Sequence, residues 1–436
     1  MNTILPAPAA PQRADDPIRS YADVDRFLQY LVRADPRPYA ARACYAQQAI
    51  GQLLRRMGDP HCGLRIVHIA GSKGKGSTAL MTEAILRAAG FRVGTFTSPH
   101  LMRWNERYRI NGHDIDNARL VTLMEALRPH IAMLAAENPD NPPSFFDVLT
   151  GAGLLLFQQE KVDYAIVEVG LGGRLDATNI VVPAVTCITS IELEHTDKLG
   201  NTLEAIAAEK AGIIKPGIPL VFGMLPDAAA RVVDRRATSL GAPTIRPTTI
   251  SHLRLPIAVE HQAQNAALAL ACIRQLDTMD ETALHRAAQQ GFSDLRLPGR
   301  SEILARHPWV VVDAAHTPAS ARALAKFLAG LPAQRIHLLI SITAGKDPLA
   351  ICEPLLVLAA KVAITRADPQ RSMEPAQVAA ILRNCRPGPT IDVIDDPLLA
   401  TESVYKTLLP NDLLCVAGSV YIAGIARTAL VERINK

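Results

Sequence analysis

The chain has 436 residues, 49% of them hydrophobic, enough for two or three domains with large cores. Only 4% are aromatic, and the formal net charge of +4 comes from intermixed acids and bases. This argues against a base-stacking platform or a basic nucleic-acid stripe and suits small anionic ligands. Seven cysteines without a C-x-x-C pair read as reduced core thiols, and no apolar stretch is long enough to span a bilayer, so a soluble cytoplasmic protein with no membrane partner is expected.

Residues 1–18, rich in Ala and Pro, read as a disordered tail rather than a secretory signal. Helical patterning covers 21–31 and 39–57. The apolar run 64–69 reads as a buried strand, followed by Gly71, Gly74 and Gly76 and then a helical pattern from Ala79. Glycines at such a turn let backbone N–H groups face an anion at a helix N-terminus, where the dipole also favours negative charge. Lys75 adds a mobile positive charge and Ser77 or Thr78 a hydroxyl, so Gly74, Lys75, Gly76 and Ser77 read as a nucleotide phosphate cradle. The usual loop places Ser or Thr directly after the Lys. Here Gly76 intervenes, and an ordinary glycine-rich turn is the alternative.

Strands are predicted at 91–96, 164–169, 185–190 and 219–222, with helices at 117–136 and 145–160. Periodicity breaks at Gly291, Pro298 and Gly299, which sets an N-terminal domain over 19–295 and a C-terminal domain over 296–436. The second domain has predicted strands at 309–312, 336–340, 362–365, 391–394 and 413–416, and helices at 320–331 and 375–383. The expected class is α/β with two domains: a phosphate-loop ATPase-type parallel sheet, then a smaller Rossmann-like domain.

Polar residues gather after the strands: Ser98, Glu168, Glu192, Glu194 and His195, then Asp313, His316, Lys346, Asp347 and Ser419. Open parallel sheets bind ligands beyond their carboxyl ends, so one site built from both domains is expected. A triphosphate needs a divalent cation, and Ser98, Glu168 and His195 are candidate metal groups. No second His or Cys stands at zinc-type spacing from His195, which by itself reads equally as a loop histidine. Asp176 and Asn179 read as turn residues, and Asp313 as a helix N-cap.

Several segments fall in a telling order. They are the phosphate loop, Thr97-Ser98-Pro99-His100-Leu101, Asn105-Glu106-Arg107, Arg109-Ile110-Asn111-Gly112, Glu168-Val169-Gly170-Leu171-Gly172-Gly173 and Leu175-Asp176-Ala177-Thr178-Asn179. His195-Thr196-Asp197, Glu209-Lys210-Ala211-Gly212, Asn265-Ala266-Ala267, Leu297-Pro298-Gly299-Arg300, Asp313-Ala314-Ala315-His316 and Gly418-Ser419-Val420-Tyr421 complete the series. From about residue 20 onward the chain resembles the folylpolyglutamate synthase/dihydrofolate synthase branch of the Mur ligase family.

The resemblance implies that Gly74, Lys75, Gly76 and Ser77 hold the phosphates of ATP, and that Asn265, Arg300 and Asp313 also contact ATP. It implies Mg²⁺ ligation by Ser98, Glu168 and His195, a carbamylated Lys210, a pterin-binding loop at Leu175, Asp176 and Ala177, and His316 near the incoming amino acid or nucleotide. Lys75, Lys210 and His316 are the expected catalytic groups, with Lys215 a surface lysine. The implied reaction joins L-glutamate to a folate or to dihydropteroate through an acyl phosphate, with closure of the domains excluding water, and a monomer is expected. A Mur-type ligase for another carboxylate, or a catalytically silent ATP-binding protein, is the alternative.

Some positions depart from the family's usual pattern. Ser72 and Lys73 replace Thr and Asn in the phosphate loop. Ala314 and Thr317 replace Gly and Asn, Asp147 stands where Glu is common, and Glu194 precedes His195 where Asp is common.

Overall fold

The computed structural model describes residues 16–34, 47–247, 255, 260–384 and 388–435. They form two compact units: the described residues up to His100 with those from Trp104 to Leu295, and Leu101–Arg103 with the described residues from Arg296 onward.

The first unit is built on eight strands: β1 (Ile66–Ala70), β2 (Val93–Phe96), β3 (Tyr108–Ile110), β4 (His113–Asp114), β5 (Tyr164–Glu168), β6 (Val185–Ile188), β7 (Leu220–Phe222) and β8 (Thr244–Ile245). They lie in the order β4-β3-β2-β5-β1-β6-β7-β8. β1 and β5 are buried along their whole length, as a strand covered on both faces requires. The register sets Ile69 beside Glu168, and Ala70 beside Ile188, so β1, β5 and β6 end level. The residues following these three strands therefore share one edge.

Neither sheet is purely parallel, which corrects the sequence expectation. β3 runs antiparallel to β2, and β4 antiparallel to β3, the two joined by an Asn111-Gly112 turn with φ of 49° and 82°. Two positive φ values in sequence are what a tight hairpin needs, and Asn-Gly tolerates them. Ile18, placed in the tail by the sequence, is packed in the core, and its N–H donates to Glu125 at 2.8 Å. Of the helix expected at 39–57, Gln48–Arg56 is formed, and 39–46 lie outside the described residues, as do 1–15 of the tail.

One face of this sheet is covered by the helices Tyr21–Ala34, Gln48–Arg56, Asn117–Glu137 and Phe145–Gln159. The helix Lys75–Ala88 packs on the helices Glu260–Arg274 and Glu281–Ser293. A Cβ at Gly291 would lie 2.6 Å from the carbonyl oxygen of Ala84, so this approach needs glycine.

The second unit contains β9 (Glu302–Arg306), β10 (Trp309–Val312), β11 (Arg335–Ile340), β12 (Ala359–Ile364), β13 (Thr390–Val393) and β14 (Asp412–Ala417), ordered β13-β12-β11-β14-β10-β9. All pairings are parallel except β9 with β10. Glu302 anchors β9 through a two-pronged ion pair with Arg427 at 2.8 and 2.9 Å. Among the described residues no helix is long and apolar enough to cross a membrane, and Cys62, Cys187, Cys272, Cys352 and Cys415 are free thiols.

Candidate active site

The loop after β1 enters the helix Lys75–Ala88 through Gly74, whose φ of 85° is left-handed. A Cβ there would also collide with the amide of Asn265, so Gly74 serves both conformation and contact. Asn265, on the helix Glu260–Arg274, is buried and held by Gln262 at 3.1 Å. The loop is pinned to the end of β6: Ser72 N–H donates to the Ser190 carbonyl at 2.8 Å, and Lys73 N–H to Ser190 Oγ at 2.9 Å. Lys75 Nζ donates to the Gly71 carbonyl at 2.9 Å, folding the cationic side chain back over its own loop. Ser77 is buried in the first helical turn.

Glu168 ends β5 and is only 4% exposed. Its Oε2 accepts the N–H of Ser98 at 2.9 Å, and a Cβ at Gly76 would lie 3.3 Å from the same oxygen. The glycine between Lys75 and Ser77 thus lets the helix start close to a carboxylate. His195 follows β6 with a left-handed φ of 46°, exposed, at the start of the short helix Thr196–Leu199. Among the described residues no three His, Cys, Asp or Glu side chains gather as a metal cage. A buried carboxylate against a serine and the phosphate loop fits a hard divalent cation that also takes phosphate oxygens, rather than zinc.

Lys210 is not on a helix surface. It is 1% exposed, and Nζ donates to Glu194 Oε1 at 2.9 Å. Burial and the nearby Lys75 push its amine down to about 8, against the pull of Glu194. Burial raises the Glu194 carboxyl, but Lys210, Lys75 and Lys73 together hold it below the usual range. Lys73 Nζ stands 3.7 Å from Glu194 Oε2. The two departures Lys73 and Glu194 are therefore partners, far apart in the chain but joined across the ends of β1 and β6. Lys215, expected at the surface, is part-buried and donates to the Asn179 carbonyl at 2.8 Å.

Asp176 is buried and its carboxylate is fully occupied. Oδ2 accepts the N–H groups of Gly170 (3.1 Å) and Leu171 (3.0 Å), and Oδ1 the N–H and hydroxyl of Thr178. It caps the short turn Ala177–Ile180, so the turn reading of the sequence is what the structure has. Burial raises its carboxyl to about 6 in spite of these donors. Behind it His68 of β1, fully buried, approaches Thr178 Oγ1 with Nε2 at 2.9 Å. Burial, aided by Lys215, pushes this imidazole down to about 3, so it is neutral. Leu175 and Ala177 flank Asp176 in the same loop. Sequence reasoning missed His68 and Thr178; the one signal was a histidine inside an otherwise apolar strand.

In the second unit Asp313 is a loop clamp, not an N-cap. Oδ2 accepts Ser301 N–H at 2.6 Å and Oδ1 accepts Ala315 N–H at 2.7 Å. The cap of the helix Pro318–Ala329 is Thr317, paired with Ser320 in a capping box, which gives the Thr317 departure a structural role. Asp147 likewise completes a capping box with Ser144. His316 Nδ1 lies 2.8 Å from the Ala314 carbonyl, which sets the ring's orientation. Arg300 is half-buried with no side-chain partner among the described residues.

The Mur ligase middle domain model matches residues 69–217, and that of the Mur ligase, glutamate ligase domain matches 299–420. The dihydrofolate synthase/folylpolyglutamate synthase of Bacillus subtilis (strain 168) is 31% identical, over 87% of this chain and 93% of its own. The structure of E. coli FolC in complex with DHPP and ADP is similar with a TM-score of 0.82 at 27% identity, over 97% of this chain and 100% of that one. That of a bifunctional folylpolyglutamate synthase/dihydrofolate synthase with Mn, AMPPNP and L-glutamate bound gives 0.80 at 29%, with the same coverage. A probable bifunctional folylpolyglutamate synthase/dihydropteroate synthase of Halobacterium salinarum is 34% identical over 94% of the chain, which spans only 51% of that relative. By these likenesses along most of its length, the chain belongs to the folylpolyglutamate synthase/dihydrofolate synthase family of Mur-type ligases.

Proposed function

We propose that the protein uses ATP to join L-glutamate to a pteroate-type acceptor, a folate or dihydropteroate, releasing ADP and phosphate. The observation that carries this reading is the convergence at the level ends of β1, β5 and β6. The phosphate loop, Asn265, the Ser98–Glu168 pair and the buried Lys210 amine all stand there. The glutamate ligase domain match and the relatives' names give the chemistry its direction.

An acceptor carboxylate oxygen attacks the γ-phosphorus of ATP, forming an acyl phosphate as ADP leaves. The amine of L-glutamate then attacks the acyl carbon, and phosphate leaves as the amide forms. Gly74, Gly76 and Ser77 present N–H groups to the phosphates, and Lys75 swings from the Gly71 carbonyl to them. Ser98, Glu168 and His195 would hold a divalent cation, which supplies positive charge to the triphosphate when bound. Asn265 lies against Gly74, within reach of the nucleotide, and Arg300 and Asp313 are the nucleotide contacts of the second unit. Asp176, with Leu175 and Ala177, fixes the loop that faces the pterin. His316 orients the incoming amino acid.

Lys210 is chemically ready for a carbamate. Its neutral amine attacks the carbon of CO₂, an N–C bond forms, and the proton goes to water. The test of the function is ADP release with dihydropteroate or tetrahydrofolate, each with and without L-glutamate. Release that depends on both substrates is expected. Release indifferent to glutamate, or with neither acceptor used, overturns the reading.

A further inference from the structure

Thr189 and Ser190, the two residues after β6, turn their hydroxyls to the backbone of a single residue in the phosphate loop, Lys73. Thr189 is buried, and its N–H extends the ladder to β1 by donating to the Ala70 carbonyl at 2.9 Å. Its Oγ1 lies 2.5 Å from the Lys73 carbonyl oxygen and 3.4 Å from that of Ala70. A hydroxyl has one proton, and the shorter contact takes it. Ser190 Oγ grips the same residue twice: it accepts the Lys73 N–H at 2.9 Å and donates to the Lys73 carbonyl at 3.2 Å. Both lone pairs of that carbonyl are thus engaged.

Anchoring the loop does not require these hydroxyls. The Ser72 N–H already ties it to the Ser190 carbonyl at 2.8 Å, and Ser72 Oγ accepts the Glu192 N–H at 3.0 Å. What the hydroxyls add is a fixed plane for the peptide joining Lys73 to Gly74. That peptide is trans, since among the described residues only Ser98-Pro99 and His307-Pro308 are cis. In a trans peptide the carbonyl and the following N–H point in opposite directions. Drawing the Lys73 oxygen toward the end of β6 therefore turns the Gly74 N–H away from it. This N–H has no acceptor among the described residues. Gly74 immediately precedes the helix Lys75–Ala88, at the end where N–H groups are unpaired and the dipole favours an anion. Without a Cβ, Gly74 offers little resistance to a flip of this peptide. The flipped form would present an oxygen to a phosphate and repel it.

We propose that Thr189 and Ser190 are positioning residues, whose hydroxyls hold the Lys73–Gly74 peptide so that the Gly74 N–H faces a nucleotide phosphate. The inference rests on the nucleotide reading above and not on the identity of the acceptor. The test is calorimetric titration of ADP with Mg²⁺ into wild type, Thr189→Val, Thr189→Ser and Ser190→Ala, together with thermal unfolding of each free protein. Lysine carrying ¹³C at its carbonyl and glycine carrying ¹⁵N leave two amides visible in a filtered NMR spectrum, Gly74 and Gly76, because Lys-Gly occurs only at these two steps of the chain. ADP is expected to bind about ten- to thirtyfold more weakly to Thr189→Val and about three- to tenfold more weakly to Ser190→Ala, as a bond to a charged group is lost from part of the population. Thr189→Ser keeps the hydroxyl and should restore most of the affinity. Saturating ADP should move the Gly74 resonance in wild type and much less in Thr189→Val, with the Gly76 shift retained. ADP affinity equal to wild type in Thr189→Val and Ser190→Ala overturns the proposal, even if both unfold at a lower temperature, since lowered stability alone marks a structural role. Thr189→Ser as weak as Thr189→Val also overturns it, as does a Gly74 shift undiminished in Thr189→Val. Should Thr189→Val fail to fold, Ser190→Ala decides by the same comparisons. A wild type that takes no ADP removes the nucleotide reading itself, and the clamp with it.

Discussion

Three lysines and one carboxylate surround the end of β6, and the balance among them sets the chemistry of Lys210. Its amine has a folded value of about 8 against an ordinary 10.5. Below pH 8 it is charged in both the folded and unfolded chain, and the folded state carries the full cost of burial. Between about 8 and 10.5 the unfolded chain binds a proton that the folded chain does not, so this group's contribution to stability rises with pH across that window. Carbamate formation follows the same titration: at fixed CO₂ pressure, ¹³C-carbonate labelling of Lys210 should rise from pH 7 to 8.5 and vanish in Lys210→Ala, read by NMR. Glu194→Gln removes the nearby counter-charge. At pH 7 it should destabilise the protein by roughly 3 kcal/mol in urea unfolding, with a smaller loss at pH 9 where the amine is closer to neutral. The resemblance named Lys210 as a carbamate site, but its burial and its partner were not legible in the sequence: Lys210 sits on a helix with ordinary flanks, and Glu194 meets it only once the fold is formed.

At the scale of elements, the legible features were the local ones. The Lys75–Ala88 helix announced itself through its glycine-rich entry, and β1 and β5 through short apolar runs. The β3–β4 hairpin was missed although its Asn111-Gly112 turn is a strong signal, because three- and two-residue strands give almost no alternation to read. β9 was missed for a related reason: Glu302 and Arg306 bracket its apolar residues, and only pairing with β10 identifies it. Contacts across elements were illegible, and the His68–Thr178–Asp176 chain shows why. His68 and Thr178 are 110 positions apart, and neither has a local reason to meet the other. Thr178→Val keeps the shape but leaves the His68 Nε2 without a partner and Asp176 Oδ1 with the backbone N–H of residue 178 alone. A loss of about 1–3 kcal/mol is expected in chemical denaturation, with a raised KM for the acceptor and an unchanged KM for ATP.

For the whole molecule, two separate cores mean that unfolding need not be a single transition. The phosphate loop belongs to the first unit alone, so nucleotide should act there first. ADP with a divalent cation at a hundred times its Kd is expected to add about 2.7 kcal/mol to the stability of the transition that includes β1. Scanning calorimetry with and without ADP checks this, and Lys75→Ala should abolish the shift while leaving the nucleotide-free trace nearly unchanged. The two-domain α/β plan was visible from strand and helix alternation. The antiparallel edges were not, because periodicity carries no information about strand direction.

The Lys73–Glu194 pair couples the two positions energetically. With the family's usual Asp at 194, a lysine at 73 joins Lys75 and Lys210 around a carboxylate one methylene shorter. With Glu194 already in place, the same lysine finds a partner at 3.7 Å. The lysine at 73 is therefore better tolerated with Glu at 194 than with Asp. Stability measured for Lys73→Asn, Glu194→Asp and the double variant should be non-additive, with Glu194→Asp alone the most harmful of the three.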